Sequence, residues 1–184
     1  VQLNMNLFEV TGDIKYLNQL EKAVYNQLLG AENPETGCVS YYTPLMNQKP
    51  YTCHITCCQS SVPRGIALVP NFTFGNLNKV PTVLFYEPAS YKETITTSNK
   101  EEIDATFKIE GNFPESGNVL ITVETAKSAN FPVALRVPIW CSNFVAKIGK
   151  ETYKGLPNEI VTINRYWKSG DKIKVTFDMS IQII

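Results

Sequence analysis

The chain has 184 residues, 43% of them apolar and 18% charged, with 17 basic residues balanced by 17 acidic ones. That apolar content supports a packed core and excludes a disordered segment, while the neutral balance argues against a nucleic-acid or anionic-membrane surface. No apolar run approaches the ~18 residues that span a bilayer, and no charged and apolar leader opens the chain.

Val1 to Val10 carries a helical pattern, which Thr11-Gly12-Asp13 breaks, with Asp13 placed to cap the next helix. From Ile14 to Leu29, the apolar residues Leu17, Leu20, Val24 and Leu28 recur every three or four positions and form one stripe. Glu21 projects between Leu17, Leu28 and Tyr25, on the inward edge of that stripe. A carboxylate there needs either a partner or a purpose, unless its head reaches solvent from the flank. Gly30 stands where a C-terminal cap would fall, and Asn33-Pro34-Glu35-Thr36-Gly37 is turn chemistry. An extended piece from Cys38 to Leu45 follows, in which Tyr41 and Tyr42 read as strand packing. A further helix is expected from Pro63 to Val69, with Pro63 in its first turn.

After about Gly75 the period changes from 3.6 to 2, which divides the chain into a helical part, 1–75, and a sheet part, 76–184. Ile103, Ala105, Phe107 and Ile109 alternate with polar residues. So do Ile173, Val175, Phe177 and Met179, and Val119, Ile121 and Val123 keep the same two-residue spacing. Gly149-Lys150 and Lys168-Ser169-Gly170-Asp171 sit between such runs as hairpin turns. The expected class is α+β, helices followed by an antiparallel sandwich. Tyr86, Tyr91, Tyr153, Tyr166 and Trp167 lie in the sheet part, where filling the core outweighs an exposed face for stacking on sugar rings. Asn71-Phe72-Thr73 fits a glycosylation acceptor, a tripeptide that also arises by chance.

The strongest chemical signal is Cys53-His54-Ile55-Thr56-Cys57-Cys58. Five cysteines, three of them crowded into six positions, suggest free thiols or metal ligands rather than disulfide staples. Two neighbouring thiolates suit zinc but supply only part of a tetrahedral set. Buried small hydrophobes are the alternative. His54, the single histidine, reads as a loop residue or an added ligand. The single histidine argues against a Ser-His-Asp triad within this chain.

Several stretches taken in order resemble a known family: Leu7-Phe8-Glu9-Val10-Thr11-Gly12-Asp13-Ile14-Lys15-Tyr16, Leu20-Glu21-Lys22-Ala23-Val24-Tyr25-Asn26, Tyr41-Tyr42-Thr43-Pro44-Leu45 and Cys57-Cys58. Leu135-Arg136-Val137-Pro138-Ile139-Trp140 and Tyr166-Trp167-Lys168-Ser169-Gly170-Asp171 extend the series. Together they resemble glycoside hydrolase family 127, the β-L-arabinofuranosidases. The resemblance implies that 1–75 is the end of an (α/α)6 catalytic barrel and that 76–184 is a β-sandwich, cut short. It implies a retaining mechanism in which Cys57 is the nucleophile, Cys57 and Cys58 are zinc ligands, and Glu21 and Tyr41 hold the sugar. The implied ligand is an arabinose-containing oligosaccharide or glycoconjugate, with no nucleic acid or membrane partner.

The family's other two zinc ligands lie in a Glu-x-Cys element expected shortly before Val1, and its acid/base glutamate lies further upstream. The chain therefore reads as a piece of a longer parent, inactive without the remainder. Two departures stand out. Ile55 occupies a position where the family often has cysteine, and Gln59-Ser60-Ser61 replaces the Pro-Pro-Asn that commonly follows the pair. The competing class is a non-catalytic carbohydrate-binding or structural module, holding a structural zinc or buried thiols.

Overall fold

The computed structural model describes residues 1–54 and 57–180, so Ile55, Thr56 and the terminal Ile181-Gln182-Ile183-Ile184 lie outside the described residues. The chain divides into two compact units, Val1–Phe72 and Thr73–Ile184.

The first unit opens with helix α1 (Gln2–Thr11), closed by Gly12 at φ 67°, where the Gly12 N–H donates to the Phe8 carbonyl at 2.7 Å. A left-handed residue at this position costs glycine nothing, which is why the helix stops there. Asp13 caps α2 (Ile14–Lys22), its side chain accepting from the Lys15 N–H at 3.0 Å. Leu17, Leu20 and Val24 are buried, as the stripe requires.

The helix does not end at Gly30. It widens into a π-helical segment (Ala23–Leu28) and closes as α3 (Leu29–Ala31), with Glu32 extended. Gly30 thus lies inside the last turn, and the Lys49 ammonium donates to its carbonyl. The wider turn shifts the phase of the stripe, leaving Leu28 half-buried and Leu29 exposed.

Strand β1 (Val39–Ser40) is shorter than the extended piece expected from sequence and pairs with β2 (Tyr51–Thr52) in the register Val39↔Thr52. Tyr41 and Tyr42 are therefore not strand packing. They stand beyond β1, 63% and 62% exposed, their rings edge to face at 6.5 Å.

The β1–β2 register also overturns part of the cysteine reading. It carries Cys38 and Cys53 opposite each other, and they form a disulfide with Cα atoms 4.7 Å apart. Crowding in sequence hid this pairing, because Cys53's partner lies 15 residues away. Closing a loop of this length contributes about 3 kcal/mol through the unfolded state. Replacing both cysteines by serine is expected to lower the unfolding free energy by about that amount. Denaturant titration with and without reductant measures it.

Helix α4 (Cys57–Ile66) begins six residues before the helix expected from sequence, so Pro63 lies within it rather than in its first turn. Proline forgoes its bond to the carbonyl four residues back. Nearby polar contacts reinforce the turn. The Ser60 hydroxyl donates to the Cys57 carbonyl at 3.0 Å, and the Arg64 Nε donates to the Ser60 carbonyl at 3.0 Å. A short 3-10 helix, Val69–Phe72, completes the unit and carries exposed Asn71.

Among the described residues, the second unit has ten strands in two sheets. They are β3 (Phe74–Leu77), β4 (Val80–Val83), β5 (Ala89–Thr96), β6 (Glu102–Gly111), β7 (Asn118–Thr125), β8 (Ala129–Arg136), β9 (Phe144–Ile148), β10 (Glu151–Gly155), β11 (Ile160–Trp167) and β12 (Asp171–Phe177). One sheet has the order β10-β9-β12-β7-β6-β5 and the other β11-β8-β4-β3. Their inner faces meet through aromatic contacts such as Phe74 with Phe107, ring centroids 5.7 Å apart.

The alternation seen in sequence sets these faces. Ile103, Ala105, Phe107 and Ile109 are buried, as are Ile173, Val175 and Phe177. Met179 lies past the end of β12 and is 41% exposed. On the outer face, pairs such as Lys108–Glu124 at 2.7 Å are half-exposed and contribute at most about 1 kcal/mol each.

Gly149, at φ 59°, and Lys150 make the two-residue turn joining β9 to β10, with Ile148 opposite Glu151. The turn at Lys168–Asp171 is not a hairpin. It leads from β11, paired with β8, to β12, paired with β7 and β9, and so passes from one sheet to the other. Nor is the sandwich wholly antiparallel: β4 and β8 run parallel over Thr82↔Ala134 and Val83↔Leu135. The chain leaves β4 through buried Leu84-Phe85-Tyr86, builds β5 to β7 in the other sheet, and returns as β8 in the direction of β4. Local alternation carries no information about such a crossover.

Of the sheet-half aromatics, Tyr86 and Trp167 are core residues, Tyr91 and Tyr153 are half-buried, and Tyr166 is 57% exposed. Among the described residues, no helix is long and apolar enough to cross a membrane.

Candidate active site

The chemistry-bearing cysteines open α4, which packs against the π-helical segment and β1. Cys57 is exposed, Cys58 is half-buried, and their sulfurs are 4.0 Å apart. Neither thiol is fully buried by the described residues, so neither fills a core within this unit. Cys141, in the other unit, is the cysteine outside the disulfide that lies buried. Burial pushes the Cys58 thiol above its ordinary value, and the hydrogen bond and charge of Cys57 push in the same direction. Cys58 therefore favours its protonated form at neutral pH, and a metal taken up there must displace that proton.

The pair can be tested against zinc by geometry. Two thiolates on one tetrahedral zinc, each with a bond of ~2.3 Å, stand about 3.8 Å apart. The observed 4.0 Å fits two neighbouring corners of such a site. Among the described residues, no group of three or more His, Cys, Asp or Glu side chains is placed to hold a metal. Cys53 is spent in its bond to Cys38, and His54 is an exposed loop residue. The pair thus offers half of a tetrahedral ligand set.

Glu21 is buried at 6% exposure on α2, beside Asn18 at the same exposure. Both lie on the helix face that buries Leu17 and Leu20, so two polar side chains interrupt an otherwise apolar surface. Tyr41 stands exposed beyond β1. Of the four residues picked out by sequence, the structure brings Cys57 and Cys58 together, while Glu21 lies on α2 and Tyr41 just past β1, all in the same unit.

Two further residues escaped the sequence reading. One is Asn18, which sits 100° round the helix from Leu17, at the margin where burial depends on the neighbouring element. The other is Gln59, half-buried, whose side chain bonds to the backbone of Val39 and Gly37. Its only signal was its departure from proline directly after the pair.

Comparison with known proteins extends this picture. The profile of the β-L-arabinofuranosidase GH127 catalytic domain matches residues 1–71, and that of the GH127 middle domain matches residues 89–179. No curated protein matches the chain. Among solved structures, the chain is similar to a GH127 β-L-arabinofuranosidase from Geobacillus stearothermophilus T6, with a TM-score of 0.83 and 23% identity over 98% of this chain and 31% of that one. It is similar to a glycoside hydrolase with a TM-score of 0.79 and 24% identity, over 96% of this chain and 31% of that one. A GH127 β-arabinofuranosidase gives 0.75 and 25%, over 96% of this chain and 30% of that one. The chain therefore spans about a third of the length of these structures. At such identities the structural likeness speaks for the fold, and the two profiles supply the family. With adjoining domains of one family matched in order along most of its length, the chain belongs to glycoside hydrolase family 127.

Proposed function

We propose that this chain is part of a retaining β-L-arabinofuranosidase in which Cys57 is the nucleophile and Cys57 and Cys58 are two of four zinc ligands. The observation that carries this is the vicinal pair itself: an exposed thiol beside a half-buried one, sulfurs 4.0 Å apart, at the start of a helix. In this reading Val1–Phe72 is the closing part of an (α/α)6 barrel. The ligand is an arabinose-containing oligosaccharide or glycoconjugate.

Cys57, as thiolate, attacks the anomeric carbon; a C–S bond forms as the glycosidic C–O bond breaks. The leaving oxygen takes a proton from an acid supplied by the rest of the protein. Water, deprotonated by the same group, then cleaves the C–S bond and releases the sugar with retained configuration. Zinc, when bound, favours the thiolate over the thiol at neutral pH. Glu21 and Tyr41 bind and orient sugar hydroxyls. Cys58 holds the metal and does not attack.

Hydrolysis of an aryl β-L-arabinofuranoside tests this directly. The full-length protein is expected to turn it over with retention. The 184-residue chain alone, with two of four ligands and no acid/base, is expected to show no turnover and little zinc affinity. Turnover by the short chain would overturn the assignment of roles. A full-length protein that binds the sugar without cleaving it would favour a carbohydrate-binding module.

A further inference from the structure

Resting on that reading, we infer that Gln59 is a positioning residue for the Cys57–Cys58 pair, tying the start of α4 to the stretch that the Cys38–Cys53 disulfide also holds. The Val39 N–H donates to Gln59 Oε1 at 3.2 Å, and Gln59 Nε2 donates to the Gly37 carbonyl at 3.3 Å. One amide therefore uses both its acceptor and its donor on the backbone either side of Cys38. Cys38 is itself bonded to Cys53, four positions before Cys57. Gln59 directly follows Cys58. The thiol pair thus lies between two ties, one entering and one leaving, and both end on the same three residues, Gly37, Cys38 and Val39.

That stretch is itself fixed. Val39 pairs with Thr52 and bridges to Glu32, and the Cys38 carbonyl accepts from the Asn33 N–H at 2.9 Å. The Ser60 and Arg64 contacts lie within α4 and stiffen the helix without tying it to another element. Gln59 ties it across 20 residues of sequence. A side chain that orients metal-binding residues without touching the metal typically changes affinity 10- to 100-fold when removed. Gln59 has the geometry for that role.

The test uses the full-length protein stripped of metal, so that thiol geometry is read apart from turnover. Limited alkylation with iodoacetamide, quantified at each cysteine by mass spectrometry, gives the rate ratio of exposed Cys57 to half-buried Cys58. In wild type, Cys57 reacts faster. In Gln59→Ala the ratio is expected to collapse towards one as the loosened turn uncovers Cys58. Gln59→Glu keeps the chain length and the acceptor for Val39 but loses the donor to Gly37, and is expected to fall between. If the alanine variant does not fold, the glutamate variant carries the test. Zinc affinity, by chelator competition, is expected to fall about 10- to 100-fold in the alanine variant. A wild-type alkylation ratio in a folded variant overturns the inference. A collapsed ratio in a protein whose wild type takes up no zinc upholds the tie and overturns the zinc reading instead.

Discussion

Replacing Cys57 by serine in the full-length protein is expected to lower kcat/KM by several orders of magnitude while leaving the fold intact. The loss follows from chemistry at one atom. Near neutral pH an alcohol is almost wholly protonated and a poor nucleophile, whereas a thiol reaches its reactive anion far more readily. The substitution is nearly isosteric, and Cys57 is exposed, so no core is disturbed. A loss confined to bond-making lowers kcat and kcat/KM together. Cys58→Ser is expected to act differently. It weakens the ligand set, as Cys57→Ser also does, but it leaves the nucleophile, so activity should fall through metal affinity and return in part with excess zinc. Steady-state rates of both variants across a zinc titration separate the two roles.

The second large effect concerns the sandwich. Trp167 is fully buried; its ring lies 6.0 Å from that of Phe131, and its Nε1–H donates to the Phe131 carbonyl at 2.9 Å. Trp167→Ala removes a large buried ring and leaves that carbonyl without its indole donor. The expected loss is about 3–5 kcal/mol, a large share of the ~5–15 kcal/mol that keeps a domain folded. Trp167→Phe refills most of the volume and should cost less, its loss coming from the missing hydrogen bond and incomplete packing. Denaturant titration, or hydrogen exchange at the β8 and β11 amides, distinguishes the two. Equal stability in Trp167→Ala and wild type would contradict the place given to this ring in the core.

The features legible in the sequence were those set by neighbours a few positions away. Two-residue alternation identified the buried faces of β6 and β12. Asp13 announced its cap, Gly149-Lys150 its hairpin, and the helical stripe put Glu21 on its inward edge, where the structure buries it. What stayed hidden depended on partners distant along the chain. The Cys38–Cys53 bond needs the β1–β2 register, the parallel meeting of β4 and β8 needs a path through the other sheet, and Gln59 needs Gly37 and Val39. Gly30 misled for a local reason. Glycine after an apolar stripe usually ends a helix, but here the π-helical segment carries the helix on through it. The pair Cys57-Cys58 was conspicuous as sequence, and its geometry adds the exposure and spacing that suit two adjacent corners of a metal site.

In the proposed reaction the Cys57 sulfur attacks the sugar and carries it as a covalent intermediate. Incubation of the full-length protein with an epoxide probe of β-L-arabinofuranose configuration, followed by peptide mapping, tests it most directly. A single sugar adduct on Cys57 is expected, blocked by free arabinose and absent from Cys57→Ser. Labelling of Cys58 to the same extent, or of a residue outside this chain with Cys57 unmodified, would contradict it.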